Sequence, residues 1–418
     1  MRGRIGSTVL LLLVASIAAA DWPQFRGPGG LGVAPGKGLP TTWSDDRNVA
    51  WKTELPGPGS SSPIVVGDKI FVTCYSGYGV GGNDAGDLKN LKRHLVCLDK
   101  QGKILWKRDV ATEAVDYPFR SFNALHGYAS STPASDGKNI YCFFGVAGVV
   151  AFDMAGKQLW QTSVGTETND WGTGTSPVLA GDHVIVNAAV ESGAVVGLDK
   201  TSGKIAWSQK GIAYSWTTPL VVEVNGRQEV VVSMYQKIKS YNPKTGAELW
   251  TCDGLEDYVC PSLVAADGVV FVIGARQGTA MAVKAGGTGD VSAKNIVWKI
   301  KRGSNVSSPL VYQGHLYWAH EGRGIVYCVD AKNGEIKYEE SLEPEPDAIY
   351  ASAFVAGGKI YYVSRKQGAY VVEAGPKFKL VQHNRLASDN SNFDGSPAPL
   401  EGRLLLRSNR YLYCIGAE

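Results

Sequence analysis

A serine- or threonine-proline pair, or a near variant of it, recurs eight times: Ser62-Pro63, Thr132-Pro133, Ser176-Pro177, Thr218-Pro219, Cys260-Pro261, Ser308-Pro309, Ser352-Ala353 and Ser396-Pro397. After a longer first interval the step is about 42 to 48 residues. A fixed period of that size, filled with strand and turn signals, defines a repeat array such as a propeller. Each unit is too small to bury its own apolar faces. The fold therefore follows from the repetition, and function belongs where the copies differ.

Each unit reads as four strands. Ile64-Val65-Val66, Gly67-Asp68 and Ile70-Phe71-Val72 form strand, tight turn and strand, and the turn residues supply the positive φ that a hairpin needs. The same punctuation recurs at Asp136-Gly137, Gly181-Asp182, Asn225-Gly226, Asp267-Gly268, Gln313-Gly314, Gly357-Gly358 and Glu401-Gly402. A third strand ends in an apolar-Asp pair (Leu98-Asp99, Phe152-Asp153, Leu198-Asp199, Val329-Asp330), where the carboxylate can cap the following turn. After a glycine turn, a fourth strand carries a large aromatic: Trp106, Trp160, Trp207, Trp250, Trp298 or Tyr338. These rings are expected to pack between neighbouring units, each removing apolar area from water at roughly 25 cal/mol per Å². Four strands per unit and eight units predict an all-β, eight-bladed propeller of four-stranded antiparallel blades.

Blade eight runs out of chain after Leu412-Tyr413-Cys414-Ile415 and lacks a fourth strand there. Near the other end, Asn48-Val49-Ala50-Trp51-Lys52 matches Lys103-Ile104-Leu105-Trp106-Lys107. The N-terminal strand is thus expected to complete the last blade and remove an open sheet edge.

Residues 1–20 have the pattern of a signal peptide: Arg2 and Arg4, then an apolar stretch at 9–17, then Ala18-Ala19-Ala20. That stretch is too short for a transmembrane helix. The expected organisation is a signal peptide over 1–20, an N-terminal extension over 21–42 and a propeller over 43–418, periplasmic or secreted and monomeric. The net charge of +3 is well mixed, which argues against a nucleic-acid partner. Of seven cysteines, Cys97, Cys328 and Cys414 occupy equivalent third-strand positions and read as small core fillers. Cys74 with Cys97, and Cys252 with Cys260, are the pairs that an oxidising compartment could join.

The copy Gly193-Ala194-Val195-Val196-Gly197-Leu198-Asp199-Lys200-Thr201-Ser202-Gly203-Lys204-Ile205-Ala206-Trp207 resembles the pyrroloquinoline-quinone (PQQ)-like repeat, and the resemblance runs from Trp43 onward. The leader Asp21-Trp22-Pro23-Gln24-Phe25-Arg26-Gly27-Pro28 looks like a segment that opens many exported bacterial propellers of this type. The resemblance implies an eight-bladed ring. It spans quinoprotein dehydrogenases, which hold PQQ and Ca²⁺ on the axis, and non-catalytic members such as an outer-membrane assembly scaffold and kinase sensor domains. This chain lacks the adjacent-Cys pair of many such dehydrogenases, is shorter, and has no lipidation cysteine at the cleavage junction. The reading is a non-catalytic binding or scaffold module with no cofactor expected. The alternative is a quinoprotein-like alcohol or sugar dehydrogenase with PQQ and Ca²⁺ in the axial funnel.

The loops that enter each innermost strand converge at one face of a propeller, with the loops between second and third strands. Here they carry Arg120, His126, Tyr128, Asp170, Trp171, Trp216, Tyr258, Tyr350 and Asp394, beside Asn123, Asn305 and Asp347. Aromatic platforms mixed with carboxylates and amides suit a planar or sugar-like ligand. Lys237, Arg276, Arg323, Arg365 and Arg410 fall near matching places in the second set of loops and would form a partial basic ring for an anionic ligand. No histidine pair at metal spacing and no hydrolase triad signature occurs. The expected partner is an envelope or exported protein, or a small anionic or sugar-like ligand. The insertion over 76–92 and the connection over 110–125 are expected to lie side by side over this face.

Overall fold

The computed structural model describes residues 21–36, 38–81, 84–274, 276 and 278–417; the expected signal peptide lies outside them. Eight antiparallel four-stranded sheets form the blades of a ring. Blade one runs Ile64–Val66, Lys69–Ser76, Lys92–Asp99 and Ile104–Val110. In blade eight, Ala398–Leu400, Arg403–Arg407 and Tyr411–Ile415 are completed by Val49–Glu54, which pairs antiparallel with Tyr411–Ile415. Two short parallel additions occur. Gly289–Asp290 lies beside the last strand of blade four, and Val33–Ala34 beside the first strand of blade seven.

The recurring hydroxyl has a structural purpose. Each backbone N–H donates to the side-chain hydroxyl of the next blade's equivalent residue: Ser62 to Thr132, then Ser176, Thr218, Ser262, Ser308, Ser352 and Ser396 in turn, and Ser396 back to Ser62, all at 2.9–3.2 Å. The circuit corrects the blade-five assignment. The equivalent residue is Ser262, two positions beyond Cys260, because only a hydroxyl at that position can accept from Thr218 (3.1 Å). Proline is absent there because Leu263 follows the ring hydroxyl.

The closing aromatics interlock the blades. Trp51, Trp160, Trp207 and Trp298 each donate Nε1–H to a carbonyl in the following blade, at 2.9–3.0 Å. Each indole lies on the turn glycine of that blade: a Cβ on Gly203 would meet the Trp160 ring at 2.5 Å, and one on Gly102 the Trp51 ring at 2.6 Å. Trp250 differs, since it donates to Glu229 within its own blade. The third-strand Asp residues cap their turns, as when Asp99 accepts from the N–H groups of Gln101 and Lys103. Cys97, Cys328 and Cys414 are buried opposite the closing aromatics Trp106, Tyr338 and Trp51. All seven thiols are free. The pairings considered for Cys74 with Cys97 and for Cys252 with Cys260 do not form. Cys74 lies across from His94 and Cys97 across from Phe71, three rungs away on the same ladder. Cys252 sits in the blade-four core, whereas Cys260 faces the axis.

The leader is built into the side opposite the entering loops. Trp22 exchanges both backbone hydrogen bonds with Val65, and its buried ring meets Phe354 edge-on at 5.6 Å. The Pro23 carbonyl accepts from Ser135, and Arg26 donates to the Pro309 carbonyl. The chain then pairs with blade seven through Val33–Ala34. Gly27 is required here: its φ is +73°, and a Cβ would strike the Trp22 ring at 2.4 Å.

Candidate functional site: the axial funnel

The entering loops surround a cavity of about 650 Å³ on the axis. Seven of the eight ring hydroxyl residues line its base, and Phe25 of the leader closes it from below. One side is an aromatic wall. Phe122 and Trp171 have ring centroids 4.9 Å apart, Trp171 and Trp216 5.0 Å, and Trp171 and Tyr258 4.3 Å. The wall is fixed from behind, since Trp216 donates Nε1–H to the Gly172 carbonyl at 2.9 Å. Such contacts hold the rings before any ligand arrives.

The facing side is polar, with Arg276, Asn305, Glu321, Tyr350 and Asp394. Arg365 donates to Asp394 (2.7 Å), lies 4.5 Å from the Tyr350 ring centre and reaches the Leu125 carbonyl (2.8 Å), tying blade seven to the short helix Asn123–His126. Burial pushes the Asp394 carboxyl above its ordinary value, opposed by the adjacent Arg365 charge. Burial pulls the His126 imidazole down, and its Nε2 donates to the Trp171 carbonyl at 2.7 Å while Nδ1 meets the Ser130 hydroxyl. Glu321 accepts from the Asn305 backbone N–H at 2.7 Å. Among the described residues no group of three or more His, Cys, Asp and Glu side chains is placed to hold a metal, and no helix is long and apolar enough to cross a membrane.

Eight of the residues singled out in the sequence line the cavity: His126, Trp171, Trp216, Tyr258, Arg276, Asn305, Tyr350 and Asp394. Arg365 stands directly behind Asp394. Five do not line it. Arg120 is exposed, 5.5 Å over the Tyr117 ring. Tyr128 joins a buried cluster with Tyr75, Tyr78 and Phe119, where the 76–92 insertion and the 110–125 connection pack together. Asp170 accepts from Ser121 at 3.3 Å, and Arg323 is exposed. Arg410 pairs with Glu54 at the outer part of blade eight. The basic ring is therefore not assembled: three of its five cations are taken by local carboxylates, Lys237 by Asp253, Arg365 by Asp394 and Arg410 by Glu54, while Arg276 lies over Tyr258 and Arg323 is exposed. Phe25, Phe122 and Glu321 line the funnel unforeseen. Phe122 lay in a connection read only as a cover, and Glu321 stood two residues from the arginine chosen instead.

A buried carboxyl braces the wall. Glu191, 1% exposed, accepts from the Thr173 hydroxyl on the Trp171 loop. Burial raises its pKa from 4.5 to about 7. The native state therefore holds this proton more tightly than the unfolded chain does. The resulting stability is full below pH about 4.5 and is lost as pH rises through about 7. Glu191→Gln is expected to remove a decline on the order of 3 kcal/mol. Urea denaturation of both proteins near pH 5 and near pH 8 checks this; parallel declines in the two would contradict it.

Fold and site together define a closed eight-bladed propeller with an axial, aromatic-walled funnel. Residues 91–251 and 235–374 match the family model described as outer membrane protein assembly factor BamB, and the chain belongs to this PQQ-like propeller family. It is 24% identical to the outer membrane protein assembly factor BamB of Yersinia pestis over 342 residues, covering 75% of this chain and 78% of that protein. It is 26% identical to a polyvinylalcohol dehydrogenase of Pseudomonas sp. over 190 residues, 41% of this chain and 26% of the enzyme. Among solved structures, BamB from Moraxella catarrhalis superimposes with a TM-score of 0.62 at 14% identity, over 88% of this chain and 97% of that one. A europium-containing methanol dehydrogenase gives 0.60 at 12% identity, over 93% and 89%. These structural likenesses show the shared fold.

Proposed function

We propose that this chain is an exported, non-catalytic binding module that seats an envelope partner in its axial funnel and acts as a scaffold. The observation that carries this reading is the pre-packed aromatic wall of Phe122, Trp171, Trp216 and Tyr258, facing a side where Asp394 is held by Arg365 and Glu321 by the Asn305 N–H. Asp394 is committed to Arg365, and the His126 imidazole, whose Nδ1 accepts from the Ser130 hydroxyl, is held at Nε2 by a carbonyl rather than by the carboxylate of a triad. The long BamB match supports a scaffold role, and the 1–20 pattern supports export.

The quinone alternative finds a poorer donor set. PQQ is a tricarboxylate. Among the described residues one arginine lines the cavity, Arg276; it is exposed, and its guanidinium already lies over the Tyr258 ring at 5.4 Å. The residues present do not fit PQQ with Ca²⁺.

The test is affinity capture from an envelope extract with the full-length protein and a Trp171→Ala/Trp216→Ala variant of unchanged circular dichroism. The parent should retain a defined component that the variant loses. Equal capture by both, or by neither, would refute the funnel as the seat. A rise of several degrees in Tm with PQQ and Ca²⁺ would favour the dehydrogenase reading.

A further inference from the structure

The hydroxyl circuit leaves its own protons unspent. Each ring hydroxyl accepts a backbone N–H from the preceding blade, and none of the eight donates in turn to an acceptor among the described residues. A hydroxyl carries one O–H donor, so the seven that line the funnel base present a ring of such donors. The walls add more. Trp171 Nε1 and Tyr350 Oη have no partner among the described residues, yet neither is sealed in protein. Tyr258 Oη accepts from Arg276 Nε at 3.4 Å and keeps its own proton to give. The lining carboxylates are partly used already, Asp394 by Arg365 and Glu321 Oε2 by the Asn305 N–H.

These donors are neutral. Two carboxylates share the cavity with one exposed arginine, so a ligand of several negative charges would meet like charge with little to offset it. The guest that fits has apolar faces, several acceptors, few donors and no net charge. A proline-rich peptide has these properties. Proline keeps its carbonyl but has no N–H, and the polyproline II form makes no internal hydrogen bonds, so its carbonyls stay free. Aromatic-lined grooves take such preformed segments at low ordering cost, and here the same rings carry donors. Resting on the funnel being the seat of a protein partner, we propose that the segment it receives is a proline-rich stretch in the polyproline II form. Its rings pack on Trp171 and Trp216, and its carbonyls accept from Trp171 Nε1, Tyr350 Oη and the ring hydroxyls. The cavity of about 650 Å³ is of ligand size, so a few residues of the partner enter it.

The experiment is isothermal titration calorimetry of the full-length protein with hexaproline capped at both ends, and separately with a capped glycine-serine hexamer and with citrate. Hexaproline should bind saturably with a Kd below about 1 mM, and the glycine-serine hexamer at least tenfold more weakly. Trp171→Phe keeps a ring but removes the Nε1 donor, and Tyr350→Phe removes only the hydroxyl; each should weaken hexaproline about threefold or more. The Trp171→Ala/Trp216→Ala variant should not bind it. The proposal is overturned if hexaproline does not saturate in that range, if the glycine-serine hexamer binds as well, if citrate alone binds, or if both phenylalanine variants bind as the parent does. Failure of hexaproline with intact Trp171/Trp216-dependent capture would remove the proline-rich segment and leave the seat. Failure of both would remove both.

Discussion

A protein lacking residues 43–54 will show no cooperative thermal transition near that of the parent. The segment supplies the fourth strand of blade eight, and the tryptophan that closes the ring. Trp43 is 3% exposed and donates its backbone N–H to Asn384 Oδ1 at 2.8 Å. Trp51 lies on Gly102 of blade one and donates to the Lys100 carbonyl at 2.9 Å, while Thr53 reaches the Gly102 carbonyl at 2.6 Å. Truncating a well-packed large aromatic costs about 3–5 kcal/mol, and two are lost with a whole edge strand. Globular stabilities of about 5–15 kcal/mol do not absorb that loss. Differential scanning calorimetry of the deleted protein decides the matter. A transition within about 2 °C of the parent, a shift worth only about 1–2 kcal/mol in a chain of this size, would mean that the ring does not depend on this strand.

The second large effect is expected at Arg407, a 1% exposed arginine whose guanidinium crosses from blade eight into blade one. It donates to the Ser61 carbonyl at 2.8 Å and the Thr73 carbonyl at 2.6 Å. Arg407→Ala would leave both acceptors without their donor and open a cavity at the seam, for a loss of about 3–5 kcal/mol. A buried cation also carries a desolvation cost, which lowers the Arg407 pKa. Arg407→Met separates the two effects, because it fills the space while removing the charge. Equilibrium urea denaturation is the measurement. A loss below about 1 kcal/mol in the alanine variant would show that desolvation cancels the bonds.

The ring was legible because its determinants are local. Turn glycines, Asp caps and closing tryptophans each act within a few residues of where they stand in the repeat, and Trp51 matched Trp106 closely enough to place the shared blade. Blade five slipped by two residues because Cys260-Pro261 imitates the motif, whereas the quantity that fixes register is a hydroxyl facing another blade 44 residues away. The funnel was half legible for a related reason. Trp171, Trp216 and Tyr258 sit in loops whose destination the topology dictates. Tyr128 sits in the same loop as His126, yet it turns outward into a cluster made with the 76–92 insertion. Arg410 was counted by position, but the strand carrying Glu54, more than three hundred residues earlier, claims it. The Asp21–Pro28 segment carried no local sign that Phe25 would reach the axis.

The head-to-tail circuit from Ser62 through Ser396 has an electrical consequence. Its eight N–H···O dipoles all circulate in one rotational sense, so their sideways components cancel around the loop and leave almost no net moment at the centre. The circuit itself thus adds little field along the plane of the funnel's base, so any preference for charge in a guest comes from the groups above it.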